Sequence, residues 1–216
     1  MDLISYIRNI IDSSKREIPE LYSEPKLIAR NESAETAPIT KVKSPTLTTP
    51  IAQETDMTWE NPNFRNALLD SQIKTESNGN PNAKSNARDG GAVGLAQFMR
   101  GTWEDAKRMG WVDQDAERTD PTASLKAQKA FMSSLYSKDE MKKAKTNEER
   151  IAMTLASYNA GYGTLKNAIA KAENKGGSWL EYMPNETKKY IPIIMNRAEE
   201  EYLKSKENYV SKYKRD

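Results

Sequence analysis

Apolar residues are unevenly spread along this chain, and their spacing divides it into stretches of different character. Within residues 3–15, Leu3, Ile4, Tyr6, Ile7, Ile10 and Ile11 fall on one helical face. Three readings of that stripe stand open: packing on the domain or on a second copy, docking to a partner protein, and lying on a membrane surface. Few basic residues occupy the polar side, which weighs against the membrane. From Leu21 to Gln53 the periodicity is lost, and Pro25, Pro38, Pro45 and Pro50 punctuate a run of Ser, Thr, Glu and Lys. Such a run buries too little apolar surface to offset chain entropy. The pattern predicts an amphipathic helix at 1–20 and a disordered polar tether at 21–55.

After Asp56 helical spacing dominates. Asn61-Pro62 reads as a cap followed by proline at the first helical position, with Phe64, Leu68, Leu69 and Ile73 at helical intervals until Asn78-Gly79-Asn80-Pro81. A short helix is expected from Thr102 to Gly110. Asp120-Pro121 opens a third, with Leu125, Gln128, Met132 and Leu135 along one face. Thr146-x-x-Glu149 has the form of a capping box ahead of Ile151, Ala152, Leu155 and Tyr158. Further helices are predicted over 164–173 and from Thr187 onward. No stretch alternates with period two and no repeat recurs, so residues 56–204 are expected to form a mostly α domain. Residues 205–216 mix both charge signs and read as a charged tail.

Composition narrows the chemistry. The 216 residues are 37% hydrophobic and 30% charged, with a net charge of +2, too balanced for a nucleic-acid footprint. No run approaches the ~20 apolar residues of a membrane span. Residues 1–15 lack the basic start and small-residue cleavage site of a secretory signal, so none is read. The chain has no cysteine and no histidine. Thiolate metal sites, Ser-His and Cys-His nucleophilic pairs and the commonest metal ligand are therefore excluded, and no metal or cofactor is expected. Proton transfer near neutral pH would fall to a carboxylic acid with a raised pKa.

Glu76 is the candidate. It lies three residues past Ile73 and seven past Leu69, on the stripe predicted to be buried, in the last turn of its helix. Burial and the carbonyl end of a helix both oppose its negative charge. An acid of that kind suits protonation of a departing glycosidic oxygen. By position alone, an exposed glutamate at a fraying helix end is the commoner arrangement.

Glu76-Ser77, Gly94-Leu95-Ala96-Gln97, Tyr158-Asn159-Ala160-Gly161 and Glu186-Thr187-x-x-Tyr190 occur in this order, each modest alone. Together the set resembles the soluble lytic transglycosylase (SLT) family, whose lysozyme-like helical domain cuts the glycan strands of peptidoglycan. The resemblance implies that Glu76 donates a proton to the leaving sugar oxygen. It then takes one from the muramyl C6 hydroxyl as a 1,6-anhydro ring closes. It also implies that Ser77, Ser85, Gly94, Leu95, Gln97, Tyr158, Asn159, Glu186 and Tyr190 bind substrate or support the site, with the Tyr158 hydroxyl near the catalytic carboxyl. Gly94 would let the backbone turn close to the sugar, and Gln97 would offer a donor and acceptors to it. Ala96 stands where the family usually has a methionine on the cleft floor, so a widened subsite is expected.

The loop containing Arg88-Asp89-Gly90-Gly91 is longer than in the simplest members. If Asp89 faces the cleft, Glu76 and Asp89 could act as the acid and base of a goose-type hydrolase, their carboxyls roughly 6.5–9.5 Å apart. A catalytically silent glycan-binding or virion module is the third reading. Peptidoglycan strands are the expected partner, with virion proteins as partners for residues 1–20. Without an export signal, the expected location is a phage particle acting at the cell wall in the periplasm, or else release through a pore.

Overall fold

The computed structural model describes residues 56–85 and 91–213. The predicted helix at 1–20, the tether at 21–55 and Asp89 lie outside the described residues. Among these residues there are six α-helices, two short 3-10 turns and no strand beyond two isolated antiparallel bridges, Lys84 with Val93 and Val93 with Phe98. The expected mostly helical domain is what forms.

The helices are α1 (Pro62–Ser77), α2 (Arg100–Arg108), α3 (Pro121–Tyr136), α4 (Asn147–Ala160), α5 (Tyr162–Lys175) and α6 (Asn185–Tyr213). Their starts follow from capping chemistry. The Asn61 side chain accepts from the N–H groups of Asn63 at 3.0 Å and Phe64 at 3.4 Å, with Pro62 inside the first turn. Asp120 does the same for Ala123 at 3.0 Å. Thr146 accepts from the Glu149 N–H at 3.1 Å. The return bond of that predicted box differs in detail: Glu149 accepts from the N–H of Lys145, at 2.6 Å, instead of the cap residue itself. The second helix begins at Arg100, two positions before the expected Thr102, with Met99 extended at its cap. α6 continues through residue 205, where a tail was expected, to Tyr213. It also passes Pro192, which has no N–H for the carbonyl one turn back.

Two apolar clusters organise the domain. The larger gathers Phe64, Leu68 and Leu69 of α1 with residues of α3 to α6, including Met132, Leu155, Leu165 and Ile194. The smaller holds Ile73, Leu95, Phe98, Trp103 and Val112. α1 therefore belongs to both, and its C-terminal turn lies beside the smaller one. α1 packs most extensively on α6, with Tyr202 Oη 2.7 Å from Asn61 Nδ2 and Arg197 Nη1 donating to Thr75 Oγ1 at 2.9 Å.

One predicted core position is not buried. Leu125 is 43% exposed, whereas Ser124, Ala127, Gln128, Met132 and Leu135 carry the inward face of α3. Helical period gives direction only. Near the start of α3 that direction is not covered.

Candidate active site

The inward stripe of α1 ends on a carboxyl. Glu76 is partly buried, and Tyr190 Oη of α6 donates to its Oε1 at 2.5 Å. Burial raises the Glu76 pKa from the ordinary 4.5 to about 7; the Tyr190 hydrogen bond opposes that rise and the negative charge of Glu186 adds to it. Desolvation wins, so the acid is about half protonated at neutral pH. Tyr190 and Tyr158 have pKa values well above 10, pushed up mainly by burial and further by the Glu76 charge. Both remain neutral hydroxyls.

Tyr190 is itself held. Gln72 Nε2 donates to Tyr190 Oη at 3.0 Å, and Gln128 Nε2 of α3 donates to Gln72 Oε1 at 2.8 Å. Both glutamines are buried. Gln128 already stood on the predicted apolar face of α3, but Gln72 was not singled out, because an amide one turn before Glu76 has no motif to mark it. Its one available signal is position, since residue 72 shares the inward face with Leu69 and Glu76.

The other expected site residues form a supporting loop and helix ends. Tyr158 donates to the Ala96 carbonyl at 2.7 Å, tying the end of α4 to the Gly94–Gln97 turn; the Glu76 charge adds to the burial that raises its pKa. Asn159 accepts from Thr187 Oγ1 at 2.6 Å, which fastens α4 to the start of α6. Glu186 is exposed in the first turn of α6 and acts on Glu76 through charge. Ser77 Oγ is 3.3 Å from the Ile73 carbonyl and accepts from Gly79 N–H at 3.2 Å, closing the end of α1. Ser85 Oγ accepts from the Ala92 N–H at 2.9 Å.

At three positions the turn makes close contacts within the protein itself. A Cβ on Gly94, at φ +86°, would sit 1.9 Å from the Arg118 carbonyl oxygen, so the close approach that demands glycine is to the protein's own backbone. Gln97, itself at φ +49°, spends its amide N–H groups on the carbonyls of Gly94 at 2.8 Å and Ala83 at 3.2 Å. Its donor holds the loop instead of facing outward. Ala96 is fully buried and Leu95 nearly so, both within the smaller cluster. Arg118, another residue without a motif, braces the same loop by donating to the Gly91 and Phe98 carbonyls, each at 2.9 Å.

A profile of the family described as "Transglycosylase SLT domain" matches residues 55–180. The chain belongs to the transglycosylase SLT domain family. Its SLT domain is also similar to curated proteins named "Membrane-bound lytic murein transglycosylase F". That of Haemophilus influenzae (strain PittGG) is 31% identical over 140 residues, covering 63% of this chain and 26% of the relative. The Shewanella loihica protein is 30% identical over 125 residues, 56% of this chain and 23% of the relative. The Pasteurella multocida protein is 32% identical over 133 residues, covering 60% and 24%. The chain thus spans about a quarter of the length of these relatives. The matched SLT span ends before Glu186 and Tyr190, so their place beside Glu76 comes from the geometry of α6. Among the described residues no helix is long and apolar enough to cross a membrane.

Proposed function

We propose that this SLT domain is a peptidoglycan lytic transglycosylase, cleaving the MurNAc-GlcNAc β-1,4 bond with 1,6-anhydro-MurNAc as the product end. One observation carries the reading: Glu76 is a carboxyl pushed to about 7 and held by a neutral tyrosine, in a chain without histidine. Protonated Glu76 gives its proton to the glycosidic oxygen as the bond from that oxygen to the muramyl anomeric carbon breaks. The resulting carboxylate then takes the proton of the C6 hydroxyl while that oxygen bonds to the anomeric carbon. The proton lost in the first half is regained in the second, and no water is consumed. Since the nucleophile is already attached to the sugar, proximity replaces a second carboxylate. The substrate-binding roles of Ser77, Ser85, Gly94, Leu95, Gln97, Tyr158, Asn159, Glu186 and Tyr190 form part of the same proposal. On the geometry, Tyr190 supports Glu76, while Gly94, Leu95 and Gln97 act by shaping the loop.

Mass spectrometry of muropeptides released from purified peptidoglycan tests the proposal. Anhydro-muramyl ends that disappear in Glu76→Gln are expected. Ends heavier by one water would replace it with hydrolysis and turn attention to Asp89. No soluble fragments from a folded sample would leave a glycan-binding module.

Delivery in a phage particle, with local wall opening during genome entry, is the finer part of the proposal. The apolar stripe within residues 3–15 and the polar composition of 21–53 support it as anchor and tether. Immunodetection in purified particles is the expected result; its absence there, with protein in lysed-cell supernatant, would refute it.

A further inference from the structure

A buried chain of amides reaches Glu76 from the far side, and its hydrogen-bond directions are fixed from one end. The starting point is the Leu69 main-chain carbonyl, which can only accept. Gln128 Nε2 lies 3.0 Å from that oxygen and 2.8 Å from Gln72 Oε1, so its two amide hydrogens have two acceptors. Turning the Gln128 amide over would set its oxygen against the Leu69 carbonyl. With Gln72 Oε1 thereby committed to Gln128, Gln72 Nε2 faces Tyr190 Oη at 3.0 Å and the weakly accepting Met132 Sδ at 3.7 Å. All four amide hydrogens are placed. Gln72 is 0% and Gln128 1% exposed, so water does not offer either amide an alternative partner.

The consequence falls on Tyr190, whose hydroxyl has a single hydrogen. Its oxygen accepts from Gln72, so that hydrogen goes to Glu76 Oε1, 2.5 Å away. Oε1 is then an acceptor whether Glu76 is ionised or not. The proton of the neutral acid must sit on Oε2, which has no hydrogen-bond partner among the described residues.

We propose that Gln128 and Gln72 are positioning residues that, through Tyr190, hold the Glu76 proton on Oε2 and so set which oxygen delivers it. The inference rests on Glu76 being the proton donor of the proposed reaction, and neither glutamine touches the carboxyl. The titratable groups bearing on Glu76 are Tyr190 and Glu186 from α6 and Tyr158 from α4. None is altered by changing either glutamine. Without Gln72, or without Gln128 to orient it, the Tyr190 hydroxyl is free to turn and accept from protonated Glu76. A bond that now favours the carboxylate would then also favour the acid, and the Glu76 titration would move upward.

The experiment is a pH titration of the Glu76 side-chain carboxyl by 13C NMR, its signal identified by loss in Glu76→Gln, in the parent, Gln72→Met and Gln128→Met. Methionine keeps length and volume but provides no amide. Circular dichroism and thermal unfolding establish that each variant is folded; should Gln72→Met fail to fold, Gln128→Met, one step further from the acid, carries the test. An upward movement of about half a unit to one unit is expected in each folded variant. A titration that stays within about 0.2 units of the parent, a small fraction of one hydrogen bond's worth, would overturn the proposal. Turnover on glycan strands adds a second readout, with kcat lowered about threefold to tenfold and KM unchanged. A rise in KM at constant kcat would point to a structural role alone and also overturn it. The NMR arm needs no substrate, so a parent protein that releases no glycan refutes the proposed function while leaving the amide chain tested.

Discussion

Replacing the acid by its amide should make this protein more stable at high pH than at low pH relative to the parent. Glu76 binds its proton more tightly in the folded chain, near 7, than a free glutamate does at 4.5. A group with a folded pKa raised in this way contributes its stability fully below about 4.5, and loses it as pH rises through about 7. The displacement corresponds to about 3 kcal/mol of folding free energy. Glu76→Gln carries no titrating group there. Its amide oxygen can still accept from Tyr190, so the two proteins differ chiefly in that ionisation. Urea unfolding at pH 4 and pH 8, followed by the fluorescence of the buried Trp59, Trp103 and Trp179, reads the difference directly. The variant should gain about 3 kcal/mol on the parent between those two pH values, or on the order of 6–12 °C in Tm. Parallel stability profiles would mean that Glu76 is not desolvated in the folded protein. The argument for a neutral acid would then fail, whatever the activity of the variant.

Other outcomes follow from the same contacts. With Glu76 protonated at the start of each turnover, kcat/KM on soluble glycan fragments should fall as pH rises through about 7, with no ascending limb from a second carboxylate. A bell-shaped profile would show an acid and base pair instead. Tyr190→Phe removes a bond that favours ionised Glu76 and strands the Gln72 donor, so the Glu76 titration should rise and stability fall by about 1–3 kcal/mol in urea unfolding. In Gly94→Ala the new methyl meets the Arg118 carbonyl at a positive φ; a loss of more than about 2 kcal/mol is expected, with glycan release reduced by the displaced loop. Asn61→Ala loses a cap of α1 and the contact with Tyr202, and should cost about 1–2 kcal/mol in thermal unfolding without moving the Glu76 titration.

What could be read from the sequence was governed by locality. Asn61-Pro62, Asp120-Pro121 and Thr146 announce helix starts because the capping side chain and the N–H groups it binds are two or three residues apart. Glu76 is legible for a related reason, since Leu69 and Ile73 give its direction. Gln97 shows the opposite case. Its polar side chain suggested an outward donor, but the acceptors that claim it include the Ala83 carbonyl across a bridge of the loop. Gly94 was marked as a place where the backbone comes close to a sugar, and within the protein it also comes close to the Arg118 carbonyl. That carbonyl is distant in sequence and has no side-chain signature. Gln72 and Gln128 went unrecognised as a pair because two amides on separate helices meet only after α1 and α3 have packed.

The pull on Glu76 runs in two directions, and the balance bears on why a tyrosine is there at all. A chain without histidine that needs a proton donor near neutral pH must lift a carboxyl well above 4.5, and burial is the largest cause doing so. Tyr190 works against that lift, because a donor stabilises the ionised form. An apolar neighbour would leave the acid weaker still, but with both oxygens equivalent and the carboxyl free to rotate. The arrangement therefore gives up part of the pKa rise and gains an oriented acid with Oε1 occupied. The folding pattern of α1 makes this compatible with a packed core: residues 69, 72, 73 and 76 share one face, and two of those four positions are polar. Leu69 and Ile73 are buried on that face, and burial is what raises the Glu76 pKa. Gln72 supplies the donor that turns Tyr190 toward Glu76, so one helical face carries both the acid and the amide that orients it.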